Sequence, residues 1–130
     1  MSSQIDRTFS KYNVAILASS TSLGSNLSEI ISKRGATTQT YDQLEDLSQA
    51  IQDHHIDILI CHEQGFDHDG IAELVQQARA AKPSPIIIWS IGEAIVPLAD
   101  GFTPLSFKPS ELLRPIFFSL LIHEDLHASS

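Results

Sequence analysis

The chain has 130 residues, 42% of them hydrophobic, with a formal charge of −8 from 8 basic and 16 acidic side chains. That is the size of one domain able to bury its own core, and the acidic balance argues against phosphate-backbone binding, which needs clustered Lys and Arg. No apolar run approaches the ~20 residues that span a bilayer, no charged-then-apolar leader opens the chain, and the lone Cys61 cannot close an internal disulfide, which suits a reducing, cytoplasmic setting.

Residues 1–12 read as a polar, flexible segment with Phe9 as its apolar anchor. Val14 to Ala18 is the first expected strand, apolar on both faces as parallel strands are. The polar turn from Ser19 to Asn26 leads into a helix whose apolar face is Leu23, Leu27, Ile30 and Ile31. Lys33-Arg34-Gly35 closes it with positive charge and a glycine. Thr-rich Ala36 to Tyr41 is a short second strand. Asp42 and Glu45 form a capping-box pattern for a helix buried through Leu44, Leu47 and Ile51.

His54-His55 ends that helix, and Ile56 to Cys61 is the third strand, delivering His62 at its end. Asp69-Gly70 precedes a helix with Ile71, Leu74, Val75 and Ala78 inward, stopped at Lys82-Pro83-Ser84-Pro85. Ile86 to Trp89 is the fourth strand. Glu93 to Ala99 holds at most a short helix because of Pro97, and Gly101 and Pro104 bracket a turn before a fifth strand at Leu105 to Phe107. Ser110 caps a last helix, with Pro115 distorting its first turn and Leu112, Leu113, Ile116, Phe117, Leu120 and Leu121 inward. Strands alternating with helices over short links imply an α/β doubly wound five-stranded parallel sheet with right-handed crossovers. Residues 13–123 make the domain, and 124–130 a polar tail or truncated linker.

Ligands of such sheets bind beyond the carboxyl ends of the strands. Ser19, His62, Ser90 and Lys108 stand at those ends. Each also has an ordinary reading: serine after a strand caps a turn, a strand-end histidine is a satisfied polar group, and lysine before proline is solvated. Cys61, inside an apolar strand, reads as packing, and Trp89 as core. Asp67-His68-Asp69 with His62 has metal-like composition but no recognised ligand spacing.

From Val14 to about Leu121 the chain resembles the receiver domain of two-component response regulators, CheY-like in fold. The carriers are His62 and the interval to Asp69-Gly70, a strand-end hydroxyl at Ser90, and Lys108-Pro109. The resemblance implies strand order 2-1-3-4-5 and a fourth helix shortened by about four residues. It also implies a degenerate phosphorylation pocket of Ala18, Ser19, His62, Ser90 and Lys108. His62 stands where the family has its phosphorylated aspartate, and Ala18 and Ser19 where it has metal-holding acids. No metal and no cofactor are expected, because Mg²⁺ needs oxygen ligands, usually including a carboxylate, and Ala18, Ser19 and His62 are a poor set. Glu63 is expected to point away from the crevice by side-chain alternation. Lys108 opposite His62 is expected to favour a neutral ring that accepts a hydrogen bond from the ammonium group.

The functional expectation is an atypical receiver that regulates signalling or transcription by protein contact, not an enzyme. Its expected partner is a second copy, docked through the fourth-helix to fifth-helix face with Leu98, Phe102, Leu112 and Phe118 as candidate contacts. A histidine kinase or a downstream output domain are further expected partners; nucleic acid and membrane are not. The alternative is a flavodoxin-like small-molecule or phosphate module, because Ser19 to Asn26 resembles a hydroxyl-rich phosphate loop at a helix N-terminus.

Overall fold

A computed structural model describes residues 12–82, 84–93, 96–105 and 108–128, the side chains of Pro109 and of 123–128 excepted. In chain order the elements are β1 (Asn13–Leu17), α1 (Thr21–Ser32), β2 (Thr37–Tyr41), α2 (Leu44–Asp53), β3 (Ile58–His62), α3 (His68–Ala80), β4 (Ile87–Ile91), β5 (Gly101–Thr103) and α4 (Pro109–Ala128). The five strands form one parallel sheet in the expected order β2-β1-β3-β4-β5.

Alternation along the strands splits the core in two. One face carries Val14, Ile16, Ile58, Ile60, Ile87, Trp89 and Ile91 against Leu27 and Ile31 of α1 and Leu112, Ile116 and Leu120 of α4. The other carries Ala15, Leu17, Leu59, Cys61 and Ile88 against α2 and α3. Both faces are covered by helices, which is why β3 and β4 are apolar at nearly every position and buried throughout. Tyr12, assigned from sequence to the leading segment, is buried in the first core; Phe9 lies outside the described residues.

Local starts differ from expectation. Gln43, not Asp42, precedes α2 and makes no side-chain cap; Glu45 and Asp46 in the first turn supply the favourable negative charge instead. Helix α3 begins at His68 after Asp67, so Asp69-Gly70 lies inside its first turn. Ser110 does not cap α4. Pro109 opens that helix, where a missing N–H costs nothing. The Lys108 N–H donates to Glu111 Oε1 at 2.8 Å, and the Glu111 N–H to the Lys108 carbonyl at 2.8 Å. The helix runs on past Pro115 to Ala128, through the stretch expected as a tail. Leu121 is 43% exposed rather than inward.

The largest departure is β5. It is Gly101–Thr103, not Leu105 to Phe107, and pairs Trp89 with Gly101, Ser90 with Phe102 and Ile91 with Thr103. Leu105 is 37% exposed; Ser106 and Phe107 lie outside the described residues. Three polar contacts set this register. The Trp89 indole N–H donates to Thr103 Oγ1 at 2.8 Å, the Ile88 N–H to Asp100 Oδ2 at 2.7 Å, and the Asp100 N–H to the Ile88 carbonyl at 2.8 Å. The indole lies so close over Gly101 that a Cβ there would stand 2.5 Å from it. Among the described residues between β4 and β5 there are bends and turns but no helix.

Candidate functional site

The carboxyl edge of the sheet carries Ala18, Ser19, His62 and Ser90, with unequal exposure. Ala18 follows β1, is buried, and its N–H donates to the Tyr41 carbonyl at 2.9 Å. Ser19 is exposed and sits against the β3–α3 turn. At Gly65 (φ +91°) a Cβ would approach Ser19 Oγ to 2.6 Å, so both the backbone conformation and the contact require glycine.

His62 is the last residue of β3 and only 3% exposed; Ser90, next to last in β4, is 1% exposed. The register sets Cys61 beside Ser90 and His62 beside Ile91. Ser90 therefore leaves the sheet on the α2–α3 face with Cys61, and His62 on the opposite face with Ile60 and Ile91. Lys108 is exposed and stands immediately before α4, five positions beyond the end of β5. Its backbone caps that helix; the two positions before it, Ser106 and Phe107, lie outside the described residues.

Glu63 departs most from its expected orientation. Its N–H donates to the Ile91 carbonyl at 2.9 Å, extending the sheet pairing by one step. Its side chain turns inward, 15% exposed, and fills the space above Gly92, where any Cβ would overlap the carboxylate. Oε1 meets His68 Nδ1 at 3.2 Å, at the start of α3. Glycine opposite Glu63 is what admits this orientation, and one sequence read alone does not announce that pairing.

Among the described residues, three buried side-chain atoms here have no hydrogen-bond partner: His62 Nδ1, Glu63 Oε2 and Ser90 Oγ. Burial holds the His62 pKa below its ordinary value, opposed more weakly by the Glu63 carboxylate. The neutral ring expected from Lys108 is thus obtained by desolvation, and its Nδ1 takes no bond from the ammonium group. The Cys61 thiol is fully buried and pushed up to about 12, first by burial and then by Glu63, so it stays protonated.

This donor set does not fit the divalent ion that the receiver family places at this edge. Ala18 offers no ligand atom, Ser19 offers one exposed hydroxyl, and His62 is a nitrogen donor where Mg²⁺ wants oxygen. Among the described residues no three His, Cys, Asp or Glu side chains gather around a common point, the Asp67-His68-Asp69 run included. Nor is the hydroxyl-rich turn an open anion cradle. Ser20 Oγ accepts the Leu23 N–H at 3.1 Å and so occupies one donor of the α1 N-terminus itself.

Comparison with solved structures agrees with this topology. A CheY-like receiver domain protein from Methanospirillum hungatei superposes with a TM-score of 0.72 over 88% of this chain and 97% of its own, at 14% identity. The chemotaxis protein CheY4 of Vibrio cholerae gives 0.63 over 81% and 95%, at 16% identity. The signal receiver domain of an HD domain-containing protein from Pseudomonas fluorescens gives 0.69 over 92% and 93%, at 13% identity. The fold is that of a receiver domain. Identities this low carry the receiver fold and nothing finer. No protein-family model and no curated protein matches the sequence.

Sequence reasoning missed a second buried polar centre at the opposite edge of the sheet. Asp57 is 7% exposed, yet both carboxylate oxygens are engaged: Oδ2 accepts the Asn13 N–H at 2.8 Å, and Oδ1 meets His55 Nε2 at 2.6 Å. The available signal was an acid inside the apolar run Ile56-Asp57-Ile58.

Proposed function

We propose that this chain is a receiver-fold module that works by protein contact, without aspartyl phosphorylation. The observation that carries this reading is His62, buried and held neutral at the strand end where the resemblance puts a phosphorylated carboxylate. Ala18 and exposed Ser19 remove the acids that would hold a metal beside it, and Lys108 projects into solvent. A neutral imidazole without metal gives a transferring phosphoryl group little charge stabilisation.

The partner that the surface supports best is a second copy docked through β5 and α4. Phe102 (39%), Leu105 (37%), Phe118 (54%), Leu121 (43%) and Ile122 (62%) expose large apolar side chains there. Of the contacts expected from sequence, Phe102 and Phe118 remain; Leu112 is fully buried in the core, and Leu98 lines a groove against α3. In a longer regulator the same face would meet a histidine kinase or an output domain.

Incubation with acetyl phosphate and Mg²⁺, read by intact mass, is the test. No mass gain is expected. Stoichiometric addition of one phosphoryl group at the crevice defeats the reading. His62→Asp alone is expected to leave Mg²⁺ binding weak in calorimetry, because the β1 carboxylates are still missing.

A further inference from the structure

We propose that the groove between α3 and the β4–β5 connection docks a partner's peptide segment that carries a basic side chain next to an aliphatic one. This site is separate from the β5–α4 face and does not depend on how the crevice is used. It holds about 460 Å³ and is lined by Asp69, Ala72, Glu73, Gln76, Pro97 and Leu98. Asp69 and Glu73, like Ala72 and Gln76, are four apart on one face of α3. One wall is therefore acidic and polar, and the other is Pro97 and Leu98.

Leu98 makes this more than a surface dent. It is the one non-glycine residue with positive φ among the described residues, at +71°. A branched side chain pays steric strain in that conformation. It is also 56% exposed, so it recovers little by burial. Strain that yields no packing within the fold points to a use outside it.

The conformation is held by Arg79, on the helix that forms the other wall. Its Nε–H donates to the Leu98 carbonyl at 3.0 Å, Nη1–H to the Pro85 carbonyl at 3.1 Å, and Nη2–H to Asp100 Oδ2 at 2.6 Å. Asp100 in turn accepts the Ile88 N–H, which ties the staple to the sheet. The arrangement fixes the backbone that presents this apolar side chain, and preorganisation lowers the entropy lost on docking. Pairing with Asp100 also neutralises Arg79, leaving Asp69 and Glu73 to set the sign of the groove.

Charge complementarity then selects the occupant. A Lys or Arg satisfies the carboxylates, an aliphatic side chain covers Leu98 and Ala72, and the Gln76 amide lining the groove offers a donor and an acceptor to a peptide backbone. The chain's net charge of −8 adds attraction at a distance.

The experiment titrates isotope-labelled protein with a short synthetic peptide of lysine and leucine at helical spacing, and with its glutamate–leucine counterpart. Amide shifts confined to residues 69–76 and Leu98 are expected for the lysine peptide, weakening with added salt. Glu73→Lys and Leu98→Ala should each reduce affinity about tenfold, the scale of one lost ion contact or one partly covered leucine. Leu98→Gly separates docking from folding: it relieves the backbone, so thermal stability should hold or rise by a few degrees while binding falls. Shifts spread over the whole acidic surface, binding of the glutamate peptide, no binding at all, or marked destabilisation by Leu98→Gly would each overturn the proposal.

Discussion

The two edges of the sheet bury polar groups in opposite ways. At the amino edge, Asp57 is buried and its carboxylate oxygens are both satisfied, by His55 and by the Asn13 backbone. At the carboxyl edge, His62, Glu63 and Ser90 each bury an atom with no partner among the described residues. A buried polar group costs free energy unless it is bonded. The first edge is therefore built to stabilise the sheet, and the second is kept polar against stability. That contrast separates a structural acid from a candidate site more sharply than residue type does.

Removing a satisfied group should hurt most. Asp57→Ala leaves the Asn13 N–H and the His55 ring without their acceptor and should cost about 3 kcal/mol, read as a lower urea midpoint at unchanged slope. A loss under about 1 kcal/mol would show that water replaces the carboxylate and would erase the contrast.

Removing an unsatisfied group should do the reverse. His62→Leu deletes a buried nitrogen without a partner and should leave stability equal or raise it by about 1 kcal/mol. The pH dependence sharpens this. Burial depresses the folded pKa of His62 below the ordinary value of 6.5. The unfolded chain then takes up the proton first as pH falls. Stability from this group is complete above about 6.5, is lost progressively below it, and stops falling under the folded pKa. His62→Leu should flatten that part of the ΔG–pH curve. An unaltered slope in the variant would locate the titration elsewhere.

The smallest effect is expected at Ser90. Ser90→Ala removes an unpartnered hydroxyl beside Cys61 and should change stability by no more than roughly 0.5 kcal/mol in either direction. A loss beyond about 1.5 kcal/mol would mean that this hydroxyl is bonded in solution, which would make the carboxyl edge resemble the amino edge.

Much of this was readable along the chain. The apolar runs around Val14, Ile58 and Ile87 dictate buried parallel strands, because only a sheet covered on both faces can use residues apolar on both faces. The helical spacing of Leu27 with Ile31, and of Ile71 with Leu74, Val75 and Ala78, dictates the covering layers. The chemistry of position 62 was legible too, since a histidine cannot form an aspartyl phosphate in any fold.

Tertiary structure decided what depends on partners distant in sequence. The sequence suggested a strand at Leu105 to Phe107 and a turn bracketed by Gly101 and Pro104, yet the strand forms at Gly101–Thr103. The choice fell to an indole that needs a hydroxyl from Thr103, a strand amide that needs Asp100, and a ring that fits only over glycine. Glu63 turns inward because Gly92, just past the end of β4, leaves room for it. The neutral state of His62 follows from burial under the sheet edge, not from the neighbouring lysine that the sequence offered. Leu98 is held in its strained conformation by an arginine nineteen positions earlier. Period and composition report what a residue prefers, whereas register, burial and long-range hydrogen bonds report what its neighbours allow.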